Sequence, residues 1–245
     1  MKDLLRTADL SRDDVELLLD TAAKFAAAPL SAADHLRNKS IAIYMTKPST
    51  RTRLASETAV AHLGGTPIFI RGDELQLGRG ETISDTAKII SGFCDALIIR
   101  TYAQSDVNEL GANATIPVIN ALTDDDHPTQ LLADWVTIRE VFGKDVAGRK
   151  FTYLGDGNNM ANTWAQAAEL LDFSLHISTP PGYAIDASLA GVKASAYKHF
   201  DDPMQAAKDA DLVCPDVWTS MGFETEDDVR KQAFADWRVD AEMMA

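Results

Sequence analysis

Hydrophobic positions along the chain alternate between a helical period and short continuous runs. From Ser11 to Ala28, apolar residues recur every three or four positions, and Ser11 with Asp14 has the spacing of a capping box, so a helix is predicted there. Continuous apolar runs predict the strands Ser40–Met45, Thr66–Ile70, Ala96–Ile99 and Ile116–Ile119. Because helical segments separate these strands, the pattern indicates a parallel sheet that is covered on both faces.

The same alternation starts again in the second half of the chain. A long helix is predicted from Pro128 to Phe142, and segment 143–149 has the glycines and charges of a connection. The elements predicted after it are strands Phe151–Leu154, Leu175–Ser178 and Leu212–Cys214 and a charged helix Glu226–Ala245. The expected fold class is α/β, with two doubly wound domains of mostly parallel sheet, residues 1–142 and 143–245, joined by the long helix.

Composition narrows the range of partners. The chain has 23 Lys and Arg against 37 Asp and Glu, a formal charge of −14, whereas binding to a nucleic-acid backbone needs clustered positive charge. Its apolar runs are far shorter than the ~20 residues of a membrane span, and no apolar signal core follows Met1. Cys94 and Cys214 lie far apart without metal-ligand spacing and are interpreted as buried thiols. We therefore expect a cytoplasmic protein with no nucleic-acid or membrane partner.

The segment Ser49-Thr50-Arg51-Thr52-Arg53 directly follows a predicted strand and begins a predicted helix. Backbone N–H groups at a helix start are unpaired and carry partial positive charge, so an anion fits there. Three hydroxyl groups add donors, and the Arg51 guanidinium can bind two oxygens at once. Since capping alone needs only one such hydroxyl, the pattern predicts a phosphate-type site.

Further polar groups are predicted at the same edge of the first sheet. Arg100 follows the strand Ala96–Ile99 at its carboxyl end, where it could meet a ligand or pair with a surface carboxylate. His127 and Gln130 lie where the long helix begins, on either side of Pro128. A neutral His127 could donate a hydrogen bond to an oxygen that gains negative charge during a reaction.

In the second domain, the turn Gly155-Asp156-Gly157-Asn158-Asn159-Met160 lies between a strand and a helix. A dinucleotide-binding turn would have glycine at position 160 and an acidic residue after the next strand, so the nicotinamide interpretation fails. Asp216 and Ser220 follow the strand Leu212–Cys214. This carboxylate and hydroxyl could hold an amino-acid head group, or they could belong to a capped loop.

Together these motifs resemble those of the carbamoyltransferase family, and within it the ornithine carbamoyltransferases. STRTR at Ser49–Arg53 and HPTQ at His127–Gln130 are shared with aspartate carbamoyltransferases, whereas GDGNNM at Gly155–Met160 and DVWTSMG at Asp216–Gly222 point to ornithine. Arg100 at the end of its strand is a further matching feature. The likeness extends over the whole chain, from about residue 1 to residue 245. It implies transfer of the carbamoyl group of carbamoyl phosphate to the side-chain amine of L-ornithine. The products would be L-citrulline and phosphate, and no metal or organic cofactor would be needed.

The resemblance also implies roles for individual residues. Those that would hold the phosphate are Ser49, Thr50, Arg51 and Thr52. Those that would contact the carbamoyl group are Thr52, Arg100 and His127 at its oxygen and Gln130 at its nitrogen. Those that would hold the α-amino and carboxylate groups of ornithine are Asn159, Asp216, Ser220 and the backbone of Met221. The implied catalytic residues are Arg51, Thr52, Arg100 and His127.

Two further implications concern the assembly and the end of the chain. Gln76 matches a family loop that reaches into the site of the neighbouring subunit, which implies a homotrimer or a multiple of trimers. Family members continue beyond the position of Ala245 and carry a His-Cys-Leu-Pro motif, whose cysteine contacts the reacting groups. Neither Cys94 nor Cys214 has that context. We therefore expect the carbamoyltransferase activity of the 245-residue chain to be weakened or absent. The resemblance also implies a role in arginine biosynthesis.

Three alternatives stay open at this point. Aspartate as acceptor would need basic residues in the second domain, and the Asp216 carboxylate would repel it. Putrescine is harder to exclude, because it lacks only the α-carboxylate that the Ser220–Gly222 loop is expected to recognise. The third alternative is a chain that binds carbamoyl phosphate without catalysing a reaction.

Overall fold

A computed structural model describes residues 2–74, 80–186, 188, 191–219 and 224–245. Contacts between Cα atoms divide the chain into two compact units, Met1–Ile138 and Arg139–Ala245. Among the described residues, each unit contains a sheet of four parallel strands with helices between them. The expected α/β class with two parallel sheets is therefore confirmed. The boundary at residue 142 stays a prediction.

The first unit follows the predicted alternation closely. Its helices are α1 (Arg12–Ala27), α2 (Thr50–His62), α3 (Ile83–Phe93), α4 (Gln104–Asn113) and α5 (Pro128–Phe142), the last extending past residue 138. Its strands are β1 (Ser40–Met45), β2 (Thr66–Arg71), β3 (Ala96–Arg100) and β4 (Val118–Leu122). The Ser11 side chain caps α1 and Asp14 completes the capping box, as the spacing predicts.

The order of strands in the first sheet is β2-β1-β3-β4. The chain moves outward from β1 to β2 and then returns to place β3 on the other side of β1. In an open α/β sheet, such a reversal leaves a crevice at the carboxyl ends of the two central strands, and ligands bind there. This edge carries the turn that follows Met45 at the end of β1 and Arg100 at the end of β3.

The second unit repeats this plan. Its strands are β5 (Lys150–Leu154), β6 (Ser174–Ser178), β7 (Lys198–Phe200) and β8 (Leu212–Pro215), in the order β7-β6-β5-β8. The helices described here are α6 (Asn159–Leu171), α7 (Pro203–Ala207) and α8 (Asp227–Ala233). The reversal of strand order now lies between β5 and β8. The Gly155–Met160 turn and Asp216 follow these two strands.

Several local predictions are wrong, and packing explains two of them. Strand β4 begins at Val118 and extends to Leu122, because Asn120 is fully buried and its side-chain amide donates to the Leu5 carbonyl at 2.9 Å. A buried polar residue of this kind is invisible to a hydropathy pattern. The predicted helix Glu226–Ala245 is helical only in part, because Phe234 and Trp237 turn into the core of the second unit. Both cysteines are half-buried rather than buried.

Candidate active site

The first turn of α2 joins the ends of β1 and β3 through hydroxyl groups. Ser49 caps the helix, since its Oγ accepts from the Thr52 N–H at 3.2 Å and donates to Thr52 Oγ1 at 3.0 Å. Arg100 Nη1 in turn donates to Thr52 Oγ1 at 3.3 Å. Arg100 is buried, and this burial lowers its pKa below the usual range. The predicted residues Ser49, Thr52 and Arg100 therefore form one hydrogen-bonded group.

The two arginines of this turn differ in their surroundings. The Arg53 guanidinium lies 3.7 Å from the centre of the Phe69 ring, and its Nε is 3.1 Å from Glu57 Oε1. Arg51 is exposed, and among the described residues no hydrogen bond or ion pair binds its guanidinium. Thr50 is exposed beside it. The guanidinium of Arg53 is therefore already bound by Glu57 and Phe69. Arg51 can turn toward an anion without losing a partner.

His127 directly precedes α5, and its imidazole is neutral. Burial, and secondly the positive charge of Arg100, lower the pKa of His127 to about 4. At neutral pH the ring therefore carries one proton and has no net charge. Its Nδ1 lies 3.3 Å from Thr129 Oγ1. Gln130 is exposed and its amide donates to Asp134 Oδ1 at 2.9 Å.

The loop that carries His127 is anchored by the preceding carboxylate. Asp126 is fully buried and accepts hydrogen bonds from the Thr7 N–H at 3.0 Å and from the Thr7 hydroxyl at 2.9 Å. Thr123 accepts from the Asp126 N–H at 3.1 Å. Because buried carboxylates are stable only when hydrogen-bonded, these contacts fix the backbone just before His127.

Lys47 is a functional candidate that the sequence reasoning did not consider. It precedes the Ser49 turn, is 92% buried, and forms an ion pair with Asp124 in the loop before His127. Its ammonium also lies 4.7 Å from the centre of the Tyr102 ring. A lysine two residues before a predicted anion site could have been noticed. Its partner could not, because Asp124 is 77 residues away in sequence.

In the second unit, Asp216 accepts hydrogen bonds from uncharged donors on the neighbouring strand β5 and on the turn that follows β5. Asn158 Nδ2 donates to Asp216 Oδ2 at 2.7 Å, and the Tyr153 hydroxyl lies 3.1 Å from the same oxygen. Burial, together with the Asp216 charge, raises the pKa of Tyr153 well above its ordinary value, so the hydroxyl keeps its proton. These contacts orient Asp216 without adding a positive charge.

The second carboxylate at this edge has a different environment. Arg230 Nη1 donates to Asp156 Oδ2 at 2.6 Å, and both side chains are buried. Arg230 also donates to the Trp218 carbonyl at 3.3 Å, two residues after Asp216. Asp156 is therefore neutralised within the fold. The bonds to Asp216 come from uncharged groups, so it retains a negative charge that suits an amine.

The glycines of the Gly155–Met160 turn have a packing explanation. A Cβ at Gly157 would lie 2.4 Å from the backbone of Ala184 and of Ile185, and the Gly157 N–H donates to the Tyr183 carbonyl at 2.8 Å. Asn158 Oδ1 accepts from the Met160 N–H at 2.8 Å and caps α6. The turn is thus packed against segment 183–185, and its glycine pattern needs no dinucleotide.

Several predicted residues fall outside these clusters. Gln76, Ser220 and Met221 lie outside the described residues. Asn159 is the first residue of α6 and is half-buried, beside the Asn158 that contacts Asp216. Residues that the sequence reasoning missed at the second edge are Tyr153, Asn158 and Arg230. Tyr153 and Arg230 gave no local pattern, because only the fold brings them to the Gly155–Met160 turn.

The described residues offer neither a cluster of metal ligands nor a helix that could span a membrane. No group of three or more His, Cys, Asp or Glu side chains is placed to hold a metal ion. No helix in this part of the chain is long and apolar enough to cross a membrane.

Known proteins show the same two-part organisation. Residues 2–140 match the carbamoyl-phosphate-binding domain of aspartate/ornithine carbamoyltransferases, and residues 147–245 match the aspartate/ornithine-binding domain. The ornithine carbamoyltransferase of Paracidovorax citrulli is 47% identical over 248 residues, which cover all of this chain and 80% of that protein. That of Aromatoleum aromaticum is 49% identical over 211 residues, or 86% of this chain and 68% of that protein.

Solved structures agree with these sequence matches. The ornithine carbamoyltransferase of Burkholderia thailandensis has a TM-score of 0.87 at 42% identity, covering 100% of this chain and 81% of that one. The enzyme of Pyrococcus furiosus gives 0.89 at 38% identity, covering 99% and 80%. Sequence, fold and the motifs at the strand ends thus agree. The chain belongs to the aspartate/ornithine carbamoyltransferase family.

Proposed function

We propose that the protein transfers the carbamoyl group of carbamoyl phosphate to the side-chain amine of L-ornithine, giving L-citrulline and phosphate. The observation that carries this proposal is the group Ser49–Thr52–Arg100 beside a neutral His127, in the unit that matches the carbamoyl-phosphate-binding domain. Relatives named ornithine carbamoyltransferase, at 47–49% identity, support ornithine as the acceptor.

Phosphate would bind at the start of α2. The N–H groups of the first turn and the hydroxyls of Ser49, Thr50 and Thr52 supply donors, and Arg51 supplies an unoccupied guanidinium. Because the phosphate is the leaving group, it gains charge as its bond to the carbamoyl carbon breaks. Arg51 would stabilise that charge through a bidentate, charge-assisted contact.

The carbamoyl oxygen would be stabilised by fixed donors. When an amine attacks the carbonyl carbon, this oxygen becomes negative, and preorganised donors then lower the barrier. Thr52 and Arg100 are already joined to each other, and His127 lies within the field of Arg100. We assign Gln130 to the carbamoyl nitrogen. Loss of one such donor typically lowers the rate by ~10²–10³-fold.

The acceptor would bind at the second unit. Asp216 carries a charge that its neutral partners Asn158 and Tyr153 do not cancel, and a carboxylate attracts ammonium groups but repels aspartate. We assign Asn159, Ser220 and the Met221 backbone to the head group of ornithine. An acidic acceptor site favours ornithine or putrescine over aspartate.

Membership of this family also supports proposals on assembly, location and metabolic role. We propose a homotrimer or a multiple of trimers, in which Gln76 contributes to the neighbouring site, and a cytoplasmic enzyme of arginine biosynthesis. We also keep residue 142 as the domain boundary. Light scattering on the purified chain tests the assembly, and a monomer at micromolar concentration would contradict it.

The activity is tested by incubating the chain with carbamoyl phosphate and equal concentrations of L-ornithine, putrescine or L-aspartate, with each carbamoyl product measured by mass spectrometry. Citrulline above the level of an Arg100→Met control supports the proposal. Equal turnover of putrescine would overturn ornithine as acceptor. A chain that binds carbamoyl phosphate by calorimetry but forms no product would leave the non-catalytic alternative.

A further inference from the structure

Lys47 connects the ends of three strands in the first sheet. It lies in the connection between β1 and α2, two residues before Ser49. Its ammonium forms an ion pair with Asp124, which follows β4, and lies 4.7 Å from the centre of the Tyr102 ring, which follows β3. The Asp124 N–H also donates to the Tyr102 carbonyl at 2.8 Å. One ammonium thus contacts the segments that follow β3 and β4.

Each of the three segments carries a predicted site residue close to its contact with Lys47. Ser49 comes two residues after the lysine, Arg100 ends β3 two residues before the ring, and His127 comes three residues after the carboxylate. A connection of two or three residues spans at most ~11 Å, even when it is fully extended. A displacement at any of these contacts is therefore passed on to the neighbouring site residue.

The position of Lys47 is costly for an ion pair that serves stability alone. Lys47 is 92% buried, and taking an ammonium out of water is unfavourable unless a carboxylate compensates it. The ion pair of Lys39 with Asp95, at the opposite edge of the same sheet, avoids this cost because the Lys39 side chain is 51% exposed. A requirement for a fixed position accounts for the buried ammonium better than stabilisation does.

We propose that Lys47 is a positioning residue, which holds the segments after β1, β3 and β4 in the arrangement that the site needs. Its role rests on the proposed function, because the residues so placed are those assigned to the phosphate and the carbamoyl oxygen. The ammonium contacts Asp124 and Tyr102 rather than the substrate. Since a misplacement of about 1 Å can lower a rate by ~10²-fold, loss of the contact is expected to lower kcat by about 10–100-fold.

Two substitutions separate position from charge. Lys47→Met removes a positive charge and Asp124→Asn removes a negative one, yet both break the same ion pair. A purely electrostatic role would change the affinity for inorganic phosphate in opposite directions, weaker in Lys47→Met and tighter in Asp124→Asn. A positioning role weakens it in both variants, by about 3–10-fold, which is the effect of roughly one lost hydrogen bond. Calorimetric titration with inorganic phosphate measures the two affinities.

Three further variants serve as controls in the same titration. Lys47→Met/Asp124→Asn restores the net charge and should bind no more weakly than the single variants, because the contact is already lost. Lys47→Arg keeps a cation and should retain most of the affinity. Lys39→Met is the matched control, since it breaks the ion pair with Asp95 at the opposite edge and should leave phosphate binding unchanged.

A second measurement needs neither a ligand nor activity. If the segment after β4 loosens, water reaches the His127 ring, and its titration midpoint rises from about 4 toward 6.5. NMR should show this rise in both Lys47→Met and Asp124→Asn. The lost negative charge of Asp124 would by itself lower the midpoint, so a rise in Asp124→Asn reports a change of position.

Opposite shifts in the two single variants, or unchanged values in both, would overturn the inference. Equal changes in Lys39→Met would overturn it as well, because any broken ion pair would then have the same effect. Citrulline formation is measured on the same variants, and a fall in kcat at unchanged KM for ornithine is expected in Lys47→Met. A wild type without turnover would overturn the proposed function, whereas parallel changes in phosphate affinity and in the His127 midpoint would still support the positioning role.

Discussion

Arg100 Nη1 and Thr52 Oγ1 are 3.3 Å apart, although 48 residues separate them in sequence. Arg100 ends β3 and Thr52 lies in the first turn of α2, so this bond links the strand ends on both sides of the reversal in the first sheet. The pair shows how a parallel sheet collects chemistry from distant segments at one edge.

The first prediction concerns the two arginines of the turn. Arg51→Ala is expected to weaken binding of carbamoyl phosphate by about 10–100-fold, since a charge-assisted hydrogen bond contributes roughly 1.5–3 kcal/mol. Arg53→Ala is the matched control, because Arg53 is engaged by Glu57 and Phe69. Calorimetric titration of both variants checks this. Equal weakening by the two substitutions would show that net charge, rather than Arg51 itself, holds the anion.

The second prediction concerns the charge state of His127. The wild-type ring is expected to titrate near its pKa of about 4, because partial burial and the positive charge of Arg100 both disfavour the protonated form. Arg100→Met removes the second of these causes, so the midpoint should rise toward 6.5 without reaching it. An NMR titration measures both midpoints, with Arg37→Met as an exposed control outside the site. An unchanged midpoint in Arg100→Met would contradict the electrostatic explanation.

The same shift predicts how stability depends on pH. Unfolded histidine has a pKa near 6.5, so between about pH 4 and pH 6.5 the unfolded chain binds more protons at this position than the folded chain. The contribution of His127 is fully present above pH 6.5 and is lost as the pH falls toward 4, by up to about 3 kcal/mol. The free energy of unfolding, measured with urea at several pH values in this window, should depend less steeply on pH in His127→Gln than in the wild type. An equal dependence on pH in the two proteins would argue against a His127 ring that stays neutral in the folded chain.

Substitutions at the neighbouring residues Asn158 and Asn159 are expected to affect different properties, stability in the first case and ornithine binding in the second. Asn158→Ala removes the cap of α6 and a 2.7 Å bond to Asp216, so it should lower the free energy of unfolding by about 1–3 kcal/mol. Asn159→Ala should cost less stability and instead weaken ornithine binding. Chemical denaturation and an ornithine titration on each variant provide the comparison. The assignment fails if Asn159→Ala leaves the affinity for ornithine unchanged.

The tight packing of the Gly155–Met160 turn gives a further prediction. Gly157→Ala places a Cβ 2.4 Å from backbone atoms of Ala184 and Ile185 and should destabilise the protein by about 1–3 kcal/mol or more. Gly92→Ala is the control, because a Cβ there meets nothing within 4 Å and alanine favours helix α3 by up to about 1 kcal/mol. Opposite changes in melting temperature are expected. A neutral Gly157→Ala would show that segment 183–185 can move away.

Most helices and strands and the Ser49–Arg53 turn could be predicted, because the signals for them lie in consecutive or regularly spaced residues. Alternating apolar runs and helical periods define β1, α1 and α5 almost to the residue, since burial on one face or both faces dictates the spacing. The Ser49–Arg53 turn could be recognised because capping hydroxyls and arginines occupy consecutive positions. The resemblance to carbamoyltransferases could be recognised for the same reason, since its motifs are short and continuous. The matches to both family domains confirm it.

Only the tertiary structure determined which residues far apart in sequence become hydrogen-bond or ion-pair partners. The Asp124 partner of Lys47, the Thr7 partner of Asp126 and the Asn158 partner of Asp216 lie 58 to 119 residues away. These pairs determine which carboxylates are neutralised and which keep their charge, and Arg100 helps to keep His127 neutral. Charge state depends on burial and on neighbours in space, so the sequence determines which groups reach a sheet edge, whereas the folded chain determines their protonation and orientation.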